Sequence, residues 1–312
     1  MSADQTSQIL SGEPYSSAAG TPQPVMPSTE ALPQEAPVVI PAGRRRDRIG
    51  IIVLFCALVG VAAELVRNTH FDWPVVFSYL FAPIVMSGLG LTLWLTVASM
   101  AIGTALSIVL AVMRMSSRIW LRVPASLYLW FFRGTPLLVQ LIFWYNLAFL
   151  YPDIYIAIPF GPLLYEGSVN DLITPYTAAL LGLALNEGAY MAEIVRAGIL
   201  SVDPGQQEAA RALGMTNGKI LRRIVLPQAL RVIIPPTGNQ TISMLKTTSL
   251  VSVIALSDLL YAVQTIASRT FETIPLLIVA CLWYLAMTSL MSLLQGWLER
   301  HFASKNNEGA VK

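Results

Sequence analysis

Two adjacent polar residues, Asn186 and Glu187, lie near the middle of a long apolar stretch, residues 174–200. In a helix they would sit about twelve residues, or about 18 Å, from its first residue. Ionisable groups inside a membrane-spanning helix are costly and are candidates for function by default. A carboxylate here could hold an ammonium group, or Glu187 could pair with Lys246 or Arg133 and tie the helices together. The sequence leaves both interpretations open.

A second group of polar residues follows two prolines in another apolar stretch. Asn239, Gln240 and Lys246 lie shortly after Pro235 and Pro236. They could meet the carboxylate of a ligand, or they could satisfy backbone groups that the prolines leave without partners. With Asn186 and Glu187, these three residues complete the set of candidates for a binding path.

Two further charged positions are predicted to have a structural role. Glu193 and Arg196 are three residues apart, so they share one helix face and are expected to form an ion pair rather than a gate. Arg133 either reaches the membrane surface with its long side chain or lines the inner mouth of a path. A helix break is expected at the segment formed by Arg133, Gly134, Thr135 and Pro136.

The composition is typical of a membrane protein. Hydrophobic residues make up 55% and charged residues 12%, with a mean hydropathy of +0.61, whereas about a quarter of an ordinary soluble domain is charged. The net charge of +2 is the difference between 20 basic and 18 acidic residues, so it gives no reason to expect binding to nucleic acid. Cys56 and Cys281 lie inside separate apolar runs and predict neither a disulfide nor a metal site.

The hydropathy pattern predicts an all-α integral membrane protein with six spanning helices in the bilayer lipid. Residues 1–43 are rich in Pro and Ser and read as a disordered tail, and 44–68 contain a basic flank and a first helix at 49–66. Three spans are expected at 84–113, 174–200 and 275–298, and two interrupted ones at 123–150 and 232–266.

The basic residues predict the orientation of these helices. Segments 68–83 and 151–175 contain no Lys or Arg, whereas the basic residues cluster in 44–48, 114–122, 196–231 and 300–312. Lys and Arg near helix ends are retained on the cytoplasmic side. Both termini are therefore expected in the cytoplasm.

The loop at 203–227 carries signals for two ordered short helices on the cytoplasmic side. Asp203 precedes Pro204 and is followed by Gln206, which is the pattern of an N-cap with a capping-box partner. Gly214 suits a left-handed helix end. Thr216 can cap a second helix, which is expected to end near Pro227. The loop therefore predicts a rigid projection rather than a simple connection.

Within this loop the sequence resembles the inner-membrane permeases of ATP-binding-cassette (ABC) importers. The family signature is Glu-Ala-Ala, three residues, Gly, nine residues, Ile-x-Leu-Pro. It is matched by Glu208, Ala209, Ala210, Gly214, Ile224, Leu226 and Pro227. The resemblance implies that this loop docks on a separate ATPase subunit, and no phosphate-binding loop occurs in this chain. The chain is therefore not expected to be an enzyme, and ATP and Mg would be bound by the partner.

Three further segments resemble the polar amino acid subfamily (His, Glu, Gln, Arg and opine). They are 132–140, 188–196 and 246–250. The resemblance spans 84–302, the five-helix core, and leaves the additional N-terminal helix and the tail 303–312 outside it. It implies a bacterial inner-membrane permease that works with an ABC ATPase, a second permease subunit, identical or related, and an extracytoplasmic amino acid-binding protein.

Two other classes of protein are compatible with parts of the sequence. A secondary, ion-coupled transporter would use the same intramembrane charges, but no inverted repeat of broken helices is visible. A non-transporting scaffold with a permease-like body would keep the loop signature and lose the polar residues inside the spans. ATP dependence of uptake separates the first from an importer, and any uptake separates the second.

Overall fold

The described part of the chain consists of helices and one short β-hairpin. The computed structural model describes residues 44–157 and 163–304, so the predicted tail 1–43 and residues 305–312 of the C-terminal tail lie outside the described residues. In chain order the elements are α1 (Arg44–Arg67), α2 (Trp73–Tyr79), α3 (Pro83–Met115), α4 (Ile119–Gly134), α5 (Leu137–Tyr145), α6 (Leu147–Leu150), β1 (Asp153–Ala157), β2 (Leu163–Ser168), α7 (Val169–Leu172), α8 (Pro175–Leu200), α9 (Pro204–Ala212), α10 (Asn217–Ile220), α11 (Leu226–Thr247), α12 (Leu259–Thr270) and α13 (Thr273–Ser304). Short 3₁₀ helices occupy Thr69–Phe71 and Thr248–Ile254, and a π-helical turn occupies Leu221–Val225.

Several of these helices are long and apolar enough to cross a membrane. Within the described ranges there are four such helices: Gly50–Arg67 in α1, α3, α8 and Thr273–Arg300 in α13. Two bent pairs raise the number to six if each is one span: α4 with α5, bent by 102°, and Asn217–Ile254 with α12, bent by 46°. The all-α membrane fold is thus confirmed, and the count of six spans stays a prediction.

The first helix belongs largely to a unit of its own, because the chain divides into two units after Gly60, within α1. In the first unit, every described side chain from Gly50 to Gly60 is exposed, including Ile51 and Phe55. An apolar helix with exposed side chains is expected to be covered by lipid or by another protein. The role of this helix as an additional span remains a prediction.

In the second unit, α3 and α8 pack closely against each other and carry much of the buried core. Leu95 of α3 and Leu183 of α8 belong to one apolar cluster and are fully buried. A second cluster joins α3 and α8 to α4, through Leu110, Ala189 and Leu129. The middle of α8 is therefore surrounded by other helices, and a polar group on it must find its partners among them.

The break between α4 and α5 lies where the sequence predicts it. Thr135 has extended backbone angles (φ −115°, ψ 144°), because the residue before a proline avoids the helical region. The side-chain amide of Gln140 donates hydrogen bonds to the carbonyl oxygens of Phe132 and Thr135, at 3.1 and 3.2 Å. It therefore satisfies carbonyl groups that the end of α4 leaves without helical partners.

The loop 203–227 contains two of the predicted caps. The Asp203 side chain accepts a hydrogen bond from the backbone N–H of Gly205 at 2.8 Å. Gly214 has a φ of +76°, and the backbone N–H of Met215 donates to the carbonyl oxygen of Ala210 at 3.1 Å. This is the Schellman pattern that ends a helix at glycine. The predicted start and end of α9 are confirmed.

Three details of this loop differ from the sequence-based expectation. The Gln206 side chain accepts a hydrogen bond from Gln228 at 2.6 Å instead of completing a capping box. The Thr216 side chain makes no capping hydrogen bond. The second helix does not end near Pro227, which lies in the first turn of α11, because helical backbone runs on from α10 through the turn Leu221–Val225. The loop thus continues into the next span through the π-helical turn.

One element was not predicted. Strands β1 and β2 form an antiparallel hairpin between α6 and α7, with a register irregularity between Ile156 and Ala157. The backbone N–H of Val169 donates to the carbonyl oxygen of Pro152 at 2.9 Å, and its side chain is fully buried. The hairpin is therefore tied at its base, although the sequence around it lacks the alternation that predicts strands.

Candidate functional site

Glu187 is buried in the middle of α8, with 1% of its surface exposed. One carboxylate oxygen, Oε2, accepts a hydrogen bond from the Gln240 side-chain amide on α11 at 2.9 Å. The other oxygen, Oε1, is buried and has no hydrogen-bond partner among the described residues. Leaving a buried charged oxygen without a partner is costly. This oxygen therefore lacks a partner of the kind that a cationic ligand could supply.

A small cavity lies next to this carboxylate, between α5, α8 and α11. Its volume is about 220 Å³. It is lined by Leu137, Asn186, Glu187, Tyr190, Gln240, Met244 and Thr247. Three of the five candidates from the sequence, Asn186, Glu187 and Gln240, thus share one cavity. Five of the seven lining side chains carry polar groups, so the cavity can offer several hydrogen bonds to a small polar ligand.

Asn186 links the cavity to the break between α4 and α5. Its side-chain amide donates to the carbonyl oxygen of Phe132 at 2.9 Å and to Oε1 of Gln140 at 3.2 Å. Both amides are buried. The break is therefore held against the middle of α8 by a chain of amide hydrogen bonds, which positions the wall of the cavity.

The other two candidates from the sequence do not line the cavity. Asn239 faces α13, where its Oδ1 accepts a hydrogen bond from Gln295 at 3.0 Å. Lys246 is exposed and is absent from the lining. Neighbouring side chains on a helix point in directions about 100° apart. The adjacent residues Asn239 and Gln240 therefore contact different helices.

Several lining residues were missed as site residues, although two of them lie in segments that the family resemblance singled out. Tyr190 belongs to 188–196 and Thr247 to 246–250. The signal for Tyr190 is its spacing of three residues from Glu187, which puts both on one helix face. Leu137 and Met244 carry no polar signal, and only the packing reveals them.

Gly103 on α3 allows the close approach that buries Glu187. A Cβ atom at Gly103 would lie 2.8 Å from Cβ and Cγ of Glu187 and 3.2 Å from the carbonyl oxygen of Ala184. Real Cβ atoms do not approach other atoms so closely. The position therefore requires glycine for steric reasons.

Replacing Gly103 by Val is expected to lower the thermal unfolding midpoint of the purified protein, since overpacking a tight interface costs about 1–3 kcal/mol. Gly90 on the same helix is the matched control, because a Cβ there would have no atom within 4 Å. Gly90→Val should leave the midpoint nearly unchanged. Equal midpoints for the two variants, measured by fluorescence-detected unfolding in detergent, would contradict the proposed contact.

Glu193, two turns farther along α8, is surrounded by three arginines. Its Oε2 accepts hydrogen bonds from Nε and Nη2 of Arg196, at 2.9 and 2.8 Å, which confirms the predicted ion pair. Its Oε1 lies 3.2 Å from Nη1 of Arg114 and 3.8 Å from Nη1 of Arg133. We refer to these four residues as the arginine cluster.

The ion pairs of the cluster bear on the basic partners suggested for Glu187. Arg133 pairs with Glu193, so the suggested pair of Arg133 with Glu187 is wrong. A pair of Lys246 with Glu187 is wrong as well, because no ion pair of Lys246 occurs in the described part of the chain. Glu187 thus has amide and apolar neighbours but no basic partner there.

The loop signature divides into a buried and an exposed part. Ala210 is buried and Ile224 half-buried, and they pack with Val202, Ile220 and Val225 in one cluster. Glu208, Ala209, Gly214, Leu226 and Pro227 are exposed. Glu208 makes no hydrogen bond or ion pair within the described ranges, and the neighbouring Leu213 is 83% exposed. One face of α9 is therefore free to contact another protein.

Comparison with known families accounts for most of the second unit. Residues 103–304 match the family described as the inner membrane component of binding-protein-dependent transport systems. The chain belongs to this family. The match includes the loop 203–227, α8 with Glu187, and the arginines of α3 and α4 at positions 114 and 133. The permease therefore carries its loop signature and its intramembrane carboxylate within the family domain.

Individual relatives are similar over most of their length. The permease is 44% identical over 255 residues to the arginine transport system permease protein ArgU of Corynebacterium glutamicum, covering 81% of this chain and 79% of ArgU. It is 37% identical to the probable amino-acid ABC transporter permease protein YckA of Bacillus subtilis, covering 74% and 96%. The crystal structure of an amino acid ABC transporter with histidines contains a chain that is 40% identical, with a TM-score of 0.60 and coverage of 71% and 95%.

Proposed function

We propose that this permease imports a polar amino acid with a cationic side chain, of the arginine type. The carrying observation is Glu187, whose Oε1 has no hydrogen-bond partner among the described residues and whose side chain lines a cavity of about 220 Å³. A carboxylate without a basic neighbour is suited to an ammonium or guanidinium group. The similarity to an arginine transport permease at 44% identity supports this substrate class.

ATP hydrolysis belongs to a separate subunit, and the exposed face of α9 is the proposed contact for it. Glu208 and Leu213 supply an unpaired charge and an exposed apolar group there. Since α10 continues through the π-helical turn into α11, a displacement of the loop moves the helix that carries Gln240. ATP and Mg are held by the ATPase subunit, with no cofactor bound by this chain.

The family implies an extracytoplasmic binding protein as a further partner, which delivers the amino acid. A second permease subunit, identical or related, completes the transport path through the membrane. Two ATPase subunits need two coupling loops, and each permease subunit supplies one. The proposed orientation places loop 203–227 and both termini in the cytoplasm of a bacterium, with α1 as an additional span in its inner membrane. The described outer segments 68–83 and 163–175 then face outward and contain no Lys or Arg.

The test is uptake of radiolabelled L-arginine into proteoliposomes that contain the permease, its ATPase subunit and the binding protein. We expect accumulation that requires ATP on the side of the ATPase and that persists when ionophores collapse proton and sodium gradients. Uptake abolished by ionophores would favour a secondary transporter. Intact complexes that transport no amino acid would favour a scaffold.

A further inference from the structure

The arginine cluster contains more positive than negative charges. Three guanidinium groups surround the single carboxylate of Glu193, which leaves an excess of two positive charges. The exposed side-chain fractions of Arg114, Arg133 and Arg196 are 33%, 44% and 32%, against 20% for Glu193. A partly buried group of like charges is unfavourable unless an anion joins it.

The hydrogen-bond donors in the cluster are also in excess. Arg196 directs two of its N–H groups at Glu193. Arg114 and Arg133 lie within ion-pair distance of Oε1, yet that oxygen accepts no aligned hydrogen bond. In the described part of the chain neither of these two guanidinium groups donates a hydrogen bond. Each carries five N–H donors in a fixed fork that suits an anion with two oxygens.

The cluster is connected to the Glu187 cavity through Tyr190. Cζ of Arg133 lies 5.5 Å from the centre of the Tyr190 ring, and Tyr190 lines the cavity. Glu187, Tyr190 and Glu193 follow one another at intervals of three along α8, so that the two glutamates are separated by about 9 Å along the axis. The carboxylate of Glu187 and the arginines around Glu193 are thus neighbours along α8, one negative and the other positive.

We propose that Arg133 and Arg114 form an anion subsite that binds the α-carboxylate of the transported amino acid. The inference rests on the proposed function, in which the side-chain cation of the substrate meets Glu187. An arginine-type amino acid carries this cation and its carboxylate at opposite ends of an extended chain, which matches the order of the two sites. In the proposed orientation the subsite lies on the cytoplasmic side of the cavity, so it also marks the direction of exit.

The test measures binding of radiolabelled L-arginine to the purified permease–ATPase complex in nanodiscs of zwitterionic lipid. Unlabelled L-arginine and agmatine, which lacks only the carboxylate, serve as competitors. A charge-assisted hydrogen-bond pair is lost with agmatine, so wild-type protein should prefer L-arginine by at least about tenfold. In Arg133→Gln this preference should fall to about equal binding.

Three variants give the comparison its controls. Arg118→Gln removes an exposed arginine at the N-terminal end of α4, opposite to the end that carries Arg133 and outside the cluster, and should keep the preference. Arg133→Lys keeps the positive charge and loses the planar guanidinium group, so it should keep part of the preference for L-arginine over agmatine. If Arg133→Gln does not co-purify with the ATPase as a single species, Arg133→Lys and Arg114→Gln decide, and both should lower the preference.

Other outcomes would overturn the inference. An unchanged preference in Arg133→Gln would remove the subsite. A preference that responds to the variants only in nanodiscs containing anionic phospholipid would assign the cluster to a lipid phosphate instead. Failure of the wild-type complex to bind L-arginine at all would contradict the proposed function rather than the subsite alone.

Discussion

Replacing Glu187 by Gln is expected to lower ATP-driven uptake of L-arginine by at least about tenfold. Hydrogen bonds to a charged group contribute about 1.5–3 kcal/mol, and the substitution removes the negative charge that would bind the substrate cation. Gln is nearly the same size as Glu, and its amide oxygen can still accept the hydrogen bond that Gln240 donates at 2.9 Å. The helices around α8 should therefore stay packed while transport is lost.

Initial uptake rates in proteoliposomes provide this measurement. The matched control is Glu272→Gln, because Glu272 is a half-buried glutamate between α12 and α13 that does not line the cavity. The control should transport at the wild-type rate. Wild-type uptake by Glu187→Gln, at a normal amount of assembled complex, would exclude Glu187 from the substrate path.

A double substitution in the loop 203–227, Glu208→Lys with Gly214→Val, is expected to abolish association with the ATPase. The first change reverses an exposed charge on α9. The second puts a β-branched residue at a φ of +76°, where non-glycine residues cost roughly 1–2 kcal/mol and β-branched ones more. The end of α9 should unwind, so both the charge and the shape of the proposed docking face are lost.

Co-purification of the ATPase subunit from detergent-solubilised membranes tests this prediction. The matched control combines Glu166→Lys, the same charge reversal on strand β2, with Gly218→Val. A Cβ at Gly218 has no atom within 4 Å, and Gly218 has no positive φ. The control should retain the ATPase. Retention by the loop variant as well would contradict the coupling role of the signature.

Much of the fold could be predicted because its signals are local. The helix break at Thr135 and Pro136 follows from the restriction that proline imposes on the residue before it. The end of α9 at Gly214 follows from the preference of glycine for positive φ. The capping box at Gln206 was wrong because a side chain from a distant element, Gln228, takes its hydrogen bond. Local signals are reliable only while no tertiary partner competes for the same atoms.

The candidate site could be predicted only in part. Glu187 stands out because a carboxylate inside an apolar stretch is rare and expensive. Asn239 and Lys246 stand out for a similar reason, yet they face α13 and the exposed surface. Which of several polar residues share a cavity depends on how each helix is rotated about its axis. That rotation results from the packing of the whole bundle.

The sequence by itself determined that this protein is helical, lies in a membrane, and carries the loop signature of an importer permease, since these properties depend on composition and on spacings of a few residues. Only the tertiary structure decided that Glu187 meets Gln240, which is 53 positions away in the chain, and has no basic partner in the described residues. It also decided that Glu193 gathers arginines from α3 and α4. Contacts between distant segments follow from the close approach of helices, as at Gly103, and no local pattern records which faces will meet.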